Sequence, residues 1–195
     1  MRDDTFISIP LQYESISKAT KALSFPMASD LYTGSLLKTL AASKAGGRIL
    51  ELGTGSGLAT SWILEGMDKN STLLTIDNNE LLISVAKQNL TDERIAFICA
   101  NGYQWIKEYK DLPFDMIFAD AMPGKYDLFE ETWALLKIGG IYVIDDMLPQ
   151  PNWPEGHAAK ADDFIAALEN REDIILTKLN WSTGIIIAVK NQADR

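Results

Sequence analysis

The chain has 195 residues, of which 47 % are hydrophobic and 23 % charged, a composition typical of a globular protein. Its net charge of −9 disfavours nonspecific nucleic-acid binding, which depends on an excess of Lys and Arg, and its single cysteine excludes an intrachain disulfide. There is no run of about 18 apolar residues to cross a membrane and no secretory signal at the N-terminus. We therefore expect a cytoplasmic protein with one domain over residues 1–195 and no membrane partner.

Two helices are predicted ahead of the first strand. Apolar residues at steps of three and four indicate a helix over residues 11–24, which ends near Pro26. A second helix is predicted over residues 31–45, and the glycine pair at 46–47 ends it. We expect residues 1–46 to cover a cofactor site.

The most informative stretch follows these helices. A short apolar strand over residues 48–52 leads into three glycines at alternate positions within residues 53–57, and a helical pattern begins at Leu58. Strand, glycine turn and helix open a nucleotide-binding βαβ unit, but Leu58 occupies the place of the third glycine of a dinucleotide motif. Glu51 is a poor neighbour for a pyrophosphate and suits an ammonium or sulfonium group. The stretch therefore favours S-adenosylmethionine, and a glycine turn without a ligand is the alternative.

Strands and helices alternate through the rest of the chain. We predict strands at 72–77, 94–99, 115–119 and 140–144, helices at 80–90, after Gly102, at 126–136 and at 158–170, and a final hairpin of strands at 174–179 and 184–189. This alternation predicts an α/β fold: a Rossmann-like, doubly wound, seven-stranded and mostly parallel sheet with a C-terminal antiparallel hairpin and helices on both faces.

Carboxylates follow several of the predicted strands: Glu51, Asp77, Asp120, Asp145 and Asp146. The carboxyl ends of parallel strands share one edge of the sheet, where open α/β sheets bind ligands. Acids gathered there repel one another unless cations bind among them. Asp77 lies about 20 residues beyond the last loop glycine, the spacing of an acid that binds ribose hydroxyls, or it belongs to a turn that caps the next helix. Residues 101–103 either border an adenine, with Tyr103 stacking on it, or form a plain turn.

Together these motifs resemble the class I S-adenosylmethionine-dependent methyltransferases, and most of all the small-molecule O-methyltransferases related to catechol and caffeoyl-CoA O-methyltransferase. The resemblance is carried by residues 51–57, Asp77, residues 100–102 and residues 114–120. The predicted cofactor-binding residues are Met27, Ser29, Glu51, Gly53, Thr54, Gly55, Gly57, Asp77, Asn78, Asn101, Gly102, Tyr103 and Asp120.

The resemblance also implies a metal. It assigns Asp120, Asp145 and Asp146 as its ligands, and three carboxylates favour Mg²⁺, with Mn²⁺ or Ca²⁺ as alternatives, over Zn²⁺. Such a metal would bind a hydroxyl of a small, aromatic acceptor and lower its pKa. The family's catalytic Lys is replaced by Pro123, so Lys125, with Asp120, is the catalytic candidate. In the alternative interpretation, Asp145 and Asp146 only end a strand in water.

Two other positions bear on ligands. The Ser that contacts the cofactor's carboxylate in the family is absent, which leaves Thr60 or backbone N–H groups for that contact. Trp153, in the Pro-rich loop at 148–154, either walls an aromatic acceptor or packs within its loop.

Three functional alternatives stay open. One is a metal-independent methyltransferase acting on another nucleophile, and a second is a non-catalytic S-adenosylmethionine-binding module, suggested by Pro123. A nicotinamide dehydrogenase is disfavoured by Leu58. The expected partner is a small hydroxylated molecule, and a homodimer is expected only by analogy with relatives.

Overall fold

The computed structural model describes residues 9–192, so the predicted cover over residues 1–46 is described from residue 9 onward. Its centre is a seven-stranded sheet in the order β3-β2-β1-β4-β5-β7-β6. The strands are β1 (Arg48–Leu52), β2 (Thr72–Asp77), β3 (Ile95–Cys99), β4 (Phe114–Ala119), β5 (Leu136–Ile144), β6 (Ile174–Leu179) and β7 (Ile185–Lys190). The first five strands pair in parallel, and β7 lies antiparallel between β5 and β6. The predicted fold class is confirmed, including the hairpin.

Helices cover both faces of this sheet: α1 (Tyr13–Ala22), α2 (Leu31–Ala42), α3 (Leu58–Gly66), α4 (Glu80–Asn89), α5 (Gly102–Glu108), α6 (Met122–Lys125), α7 (Phe129–Ala134) and α8 (His157–Glu169). Two apolar clusters form the core, one on each face. Helices α1, α2 and α3 supply one cluster, and α5, α7 and α8 supply the other. The central strands are buried on both faces, as a parallel sheet between two helical layers requires. Within residues 9–192, no helix has the length and apolar character needed to cross a bilayer.

The prediction of one helix over residues 126–136 is wrong. Pro123 and Gly124 have the backbone angles of a type II β-turn, so α6 is one interrupted turn and α7 does not begin until Phe129. Strand β5 already begins at Leu136, which pairs with Phe114. A bulge at the glycine pair 139–140 separates this pairing from the rest of β5, and those glycines concealed the early start of the strand.

Candidate functional site

The glycine loop between β1 and α3 has a backbone conformation that residues with side chains rarely adopt. Gly53, Gly55 and Gly57 all have positive φ angles, of 103°, 51° and 96°. A Cβ atom at Gly53 would lie only 2.6 Å from the carbonyl oxygen of Asp120. The backbone N–H of Gly53 donates to the carbonyl of Ile76 at 2.9 Å. The loop therefore packs against the carboxyl ends of both neighbouring strands, β2 and β4.

Glu51 is fully buried beneath this loop. Its Oε2 accepts hydrogen bonds from the hydroxyls of Thr60, at 2.6 Å, and Thr75, at 2.5 Å, whereas its Oε1 has no partner. Burial raises the pKa of Glu51 to about 7, although the two threonines lower it. Thr54, a predicted cofactor residue, is buried and bonds Thr75 through its hydroxyl at 2.6 Å. The Thr60 hydroxyl is therefore engaged with Glu51, and the predicted contact of Thr60 or the α3 N–H groups with a cofactor carboxylate stays a prediction.

Asp77, at the end of β2, fixes the loop and the turn that follows it. Its Oδ2 accepts from the N–H of Gly55 at 2.9 Å, and its Oδ1 accepts from the N–H of Asn79, also at 2.9 Å. The cap of α4 is the side chain of Asn79, which accepts from Leu81 and Leu82. Asp77 is half-buried, and its neighbour Asn78 is exposed. Asp77 thus bonds the backbone of the loop and of the following turn, and a contact between Asp77 and a ribose stays a prediction.

Residues 101–103, which were predicted to contact an adenine, form the N-terminal cap and first turn of α5. Asn101 caps α5, because its Oδ1 accepts from the N–H groups of Tyr103 and Gln104 at 2.9 and 3.3 Å. The phenol of Tyr103 donates to Asp127 Oδ2 at 2.8 Å, and a Cβ at Gly102 would lie 2.9 Å from Pro123. The plain-turn alternative accounts for these contacts, and an adenine role for residues 101–103 stays a prediction.

The N-terminal segment lies against the glycine loop. The hydroxyl oxygens of Thr20 and Ser56 are 2.7 Å apart in a buried hydrogen bond between α1 and the loop. The ring of Phe25 lies 3.2 Å from where a Cβ of Gly55 would stand. The described part of the N-terminal segment therefore packs on the glycine loop, and its role as a cofactor cover stays a prediction.

Two predicted cofactor residues belong to the same N-terminal segment. Met27 is 64 % exposed, whereas the Ser29 hydroxyl lies 3.5 Å from Asp120 Oδ2. Ser29 therefore contacts the acid that follows β4, and Met27 makes no comparable contact with it in the described part of the chain.

An acid cluster with one lysine follows β4 and β5. Asp120, Asp145, Asp146 and Lys125 lie close enough for their charges to act on one another. Burial, and then the charge of Asp145, holds the pKa of Asp120 well above its ordinary value, while Lys125 opposes that shift. Burial also raises the pKa of Asp145, and a hydrogen bond from the Thr183 hydroxyl at 2.6 Å opposes that increase. Asp146 has a φ angle of 56°, a strained value for a residue with a side chain.

The acid cluster does not show the predicted metal site. Among residues 9–192, no group of three or more His, Cys, Asp or Glu side chains could hold an ion. Asp145 Oδ1 already accepts from Thr183 and from the N–H of Asp146, at 2.6 and 2.8 Å. Lys125 adds a buried positive charge that would repel a divalent ion. The described residues therefore show no metal site, and ligation of a metal by Asp120, Asp145 and Asp146 stays a prediction.

Lys125 reaches the cluster through the type II turn at residues 122–125. The Tyr142 hydroxyl donates to the Gly124 carbonyl, and the Gly124 N–H donates to the Asp127 carbonyl at 2.7 Å. A Cβ at Gly124 would lie 2.3 Å from Leu52, so the turn admits only glycine there. Pro123 occupies the position of the family's catalytic lysine. In this chain Lys125 follows two residues later, at the end of the turn.

An aromatic group lies beside the cluster. Tyr126 and Trp153 both contact His157, with ring centroids 5.1 and 4.4 Å away. The Tyr126 hydroxyl approaches Met147 Sδ at 4.0 Å. Burial, helped by the charge of Asp146, raises the pKa of Tyr126 to about 12, so the phenol stays protonated at neutral pH. Trp153 therefore packs on His157 and belongs to a wall that continues to Tyr126.

Sequence reasoning missed several supporting residues. Thr75 lies inside β2 and Thr183 in the turn before β7, and neither belongs to a motif. A Thr on a buried strand beside a buried acid was the only signal for Thr75. Thr183 is 38 residues from its partner, so only the β5–β7 pairing brings the two together.

Comparisons with known proteins agree with this geometry. The family model described as "Methyltransferase domain" matches residues 50–147, about half of the chain. The chain belongs to the methyltransferase domain family. The matched range begins in β1, includes the glycine loop and ends just after Asp146, so it contains most of the predicted site. The recognition of the class I methyltransferases from the motifs is confirmed.

Individual relatives extend the likeness. A putative O-methyltransferase of Mycobacterium ulcerans is 33 % identical to this chain over 117 residues. The match covers 57 % of this chain and 52 % of that protein. The chain therefore spans about half the length of the curated relatives it matches. The crystal structure of the O-methyltransferase TomG from Streptomyces achromogenes, in complex with SAM, has a TM-score of 0.83 at 20 % identity over 97 % of this chain and 94 % of that one. A putative caffeoyl-CoA O-methyltransferase from Staphylococcus aureus has a TM-score of 0.77 at 25 % identity over 92 % of both chains. The fold is shared along nearly the whole described chain.

Proposed function

We propose that this chain transfers the methyl group of S-adenosylmethionine to a hydroxyl oxygen of a small, aromatic molecule. The observation that carries the proposal is the unpartnered Oε1 of Glu51, a buried carboxylate oxygen beneath a glycine loop of a methyltransferase fold. A buried acceptor without a donor is costly, so a ligand that supplies an N–H group there is favoured.

The residues around the loop support this cofactor. Glu51 would accept from the cofactor's ammonium and Asp77 from its ribose hydroxyls, while Gly55 keeps the main chain open to it. The N-terminal N–H groups of α3 suit its carboxylate. The crystal structure of TomG contains the same cofactor on the same fold. When bound, S-adenosylmethionine supplies an electrophilic methyl group on a sulfonium.

The acid cluster supports an oxygen acceptor. Its carboxylates offer hydrogen-bond acceptors to a hydroxyl, and the buried Lys125 offers a cation to an oxygen that is losing its proton. The aromatic wall of Tyr126, Trp153 and His157 stands beside it and suits a flat apolar ring. The chain's task is then to position the oxygen in line with the methyl group and to exclude water.

We leave the predicted divalent cation out of this function. The charges of its three carboxylates act on one another, and Asp145 Oδ1 already accepts a hydrogen bond from the Thr183 hydroxyl. The homodimer and the cytoplasmic location stay predictions.

The test is a panel of phenols, catechols and hydroxycinnamates incubated with ¹³C-methyl S-adenosylmethionine, with products analysed by mass spectrometry. We expect one labelled methyl group on oxygen, and a large loss of turnover in Asp120→Asn. Asp162→Asn, an exposed acid on α8, is the matched control and should keep full turnover. Labelling of amines or thiols alone would replace the oxygen acceptor, and cofactor binding without any turnover would favour a non-catalytic module.

A further inference from the structure

The turn between β6 and β7, residues 180–184, contacts the N-terminal segment where α2 begins. The Ser182 hydroxyl donates a hydrogen bond to Asp30 Oδ2. The ring of Trp181 packs edge-on against the ring of Tyr32, and their centroids are 5.1 Å apart. Asp30 Oδ1 accepts from two backbone N–H groups and so caps α2. One carboxylate therefore joins the start of α2 to the turn.

The same turn holds the chain that leaves β5. The Thr183 hydroxyl donates to Asp145 Oδ1 at 2.6 Å. The N–H of Met147 donates to the Gly184 carbonyl at 2.9 Å, and the N–H of Leu148 donates to the carbonyl of Thr183 at 2.8 Å. A Cβ at Gly184 would lie 2.5 Å from the backbone nitrogen of Leu148, so the two segments are in close contact. The chain after β5 is thus bonded to the turn through a side chain and through the backbone.

These contacts complete a circuit around the carboxyl ends of β4 and β5. The N–H of Asp145 donates to the Ala119 carbonyl at 3.3 Å. The Ser29 hydroxyl, one residue before Asp30, lies 3.5 Å from Asp120 Oδ2. We call this set of contacts the circuit: it joins residues 29–30, residues 119–120, Asp145 and residues 182–183, and returns to residue 30. Each segment is held by the next, so the circuit fixes the spacing between the N-terminal segment and the two acids.

The circuit also sets the direction of one carboxylate. Asp145 Oδ1 accepts from the Thr183 hydroxyl and from the N–H of Asp146, at 2.6 and 2.8 Å. Its Oδ2 accepts no hydrogen bond within the described part of the chain. Two donors on one oxygen fix the plane of the carboxylate, so Thr183 determines where the other oxygen points.

We propose that the turn between β6 and β7 positions the acceptor, with Ser182 and Thr183 as its positioning residues. Ser182 holds the start of α2 and Thr183 holds Asp145, so the acceptor enters a site of fixed width. This inference rests on the proposed methyl transfer, in which the acceptor oxygen must lie in line with the methyl group. A displacement of about 1 Å in such a reaction costs on the order of 100-fold in rate.

The backbone of Ser182 allows the hydroxyl to be removed without straining the turn. Its φ angle is 54°, which glycine and asparagine adopt more readily than other residues. Ser182→Gly deletes the donor, whereas Ser182→Asn offers an amide N–H to Asp30 in its place. Ser43→Ala removes an exposed hydroxyl at the opposite end of α2 and is the matched control.

Amide hydrogen exchange, followed residue by residue by NMR, tests the circuit without turnover. It is measured on the free protein and on its complex with S-adenosylhomocysteine. We expect the amides of residues 32–33 and of residues 147–148 to exchange about three- to tenfold faster in Ser182→Gly than in the wild type, because the turn no longer holds both segments. Ser182→Asn should restore most of the protection, and Ser43→Ala should match the wild type in both segments.

Turnover separates positioning from stability. With the acceptor found in the panel, we expect kcat to fall about three- to tenfold in Ser182→Gly and about tenfold or more in Thr183→Val. The dissociation constant of S-adenosylhomocysteine should stay within about twofold of the wild-type value in both variants, which also shows that they are folded. Thr183→Ser keeps the hydroxyl donor and should recover most of the lost kcat.

The outcomes are distinct. Unchanged kcat in Ser182→Gly and Thr183→Val would overturn this inference and leave the methyl transfer standing. Faster exchange confined to residues 180–184 in Ser182→Gly would also overturn it, because the turn would then hold neither segment. If no acceptor is methylated, the proposed function fails, while the exchange experiment still decides whether the turn holds the N-terminal segment and the chain after β5 together.

Discussion

Replacing Glu51 with Gln should stabilise the protein without its cofactor and weaken its hold on the cofactor. Glu51 is fully buried, and only one of its two oxygens is satisfied, by Thr60 and Thr75. Gln has nearly the shape of a protonated Glu, and its oxygen accepts the same two threonine hydroxyls. The substitution therefore fixes the site in the state that burial favours.

The magnitude follows from the pKa of Glu51. Burial raises it from 4.5 to about 7, so between these values the folded protein holds a proton that the unfolded chain releases. Stability thus falls as the pH rises through this window and stays lower above it. The rise of about 2.5 in this pKa corresponds to about 3 kcal/mol at pH 8 as an upper value, and to about 0.8 kcal/mol at pH 5.

Urea unfolding of both proteins from pH 5 to 8.5 measures this difference directly. The free energies of unfolding should differ by less than about 1 kcal/mol at pH 5, and Glu51→Gln should exceed the wild type by up to about 3 kcal/mol at pH 8. Titrating acids that do not interact with Glu51 contribute equally to both proteins and cancel, whereas Asp77 and Asp120 interact with its charge. Parallel curves, or a less stable Glu51→Gln at pH 8, would refute the assignment of a destabilising buried charge.

The same substitution has an opposite effect on the ligand. Losing a charged hydrogen bond to the cofactor's ammonium costs about 1.5–3 kcal/mol, so Glu51→Gln should bind S-adenosylhomocysteine about 10- to 100-fold more weakly at pH 8. Unchanged affinity by calorimetry would show that Glu51 does not face the ammonium.

Three further substitutions test the site. Gly53→Ala places a Cβ 2.6 Å from the Asp120 carbonyl oxygen at a φ of 103°. It should lower the melting temperature and abolish cofactor binding. An unchanged melting temperature would contradict the tight contact between Gly53 and the Asp120 backbone. Thr183→Val removes the hydrogen bond to Asp145 and should cost about 1–3 kcal/mol in urea unfolding, whereas Thr183→Ser should retain most of the stability. Phe25→Ala removes a ring that packs on the glycine loop and should raise the dissociation constant of S-adenosylhomocysteine about two- to tenfold, and equal binding would remove Phe25 from the cofactor's cover.

Most of the fold follows from the sequence because its signals are local. Strands β1 and β2 are predicted to the residue, since each is an apolar run bounded by glycines or polar residues. The region after β4 is different. Gly139 and Gly140 indicate a turn, but they form a bulge inside β5, because the pairing with β4 continues across them. Pairing between distant strands is not visible in a local pattern.

The candidate site divides in the same way. The loop glycines and Asp77 are readable because their spacing is set by backbone geometry. The described residues do not show the predicted metal site, because residue types at strand ends predict which groups come near one another, not the distances and angles between their oxygens. Lys125 became a buried cation through the turn at Pro123 and Gly124, and only the three-dimensional path of that turn reveals it.

The most direct test of the account is calorimetric titration of the wild-type protein with S-adenosylhomocysteine at pH 8, with reduced nicotinamide adenine dinucleotide as the comparison ligand. The account predicts one site per chain for the adenosyl compound and no heat of binding for the dinucleotide. Absence of binding by S-adenosylhomocysteine, or preferential binding of the dinucleotide, would contradict the claim that the loop above Glu51 holds a cationic adenosyl cofactor.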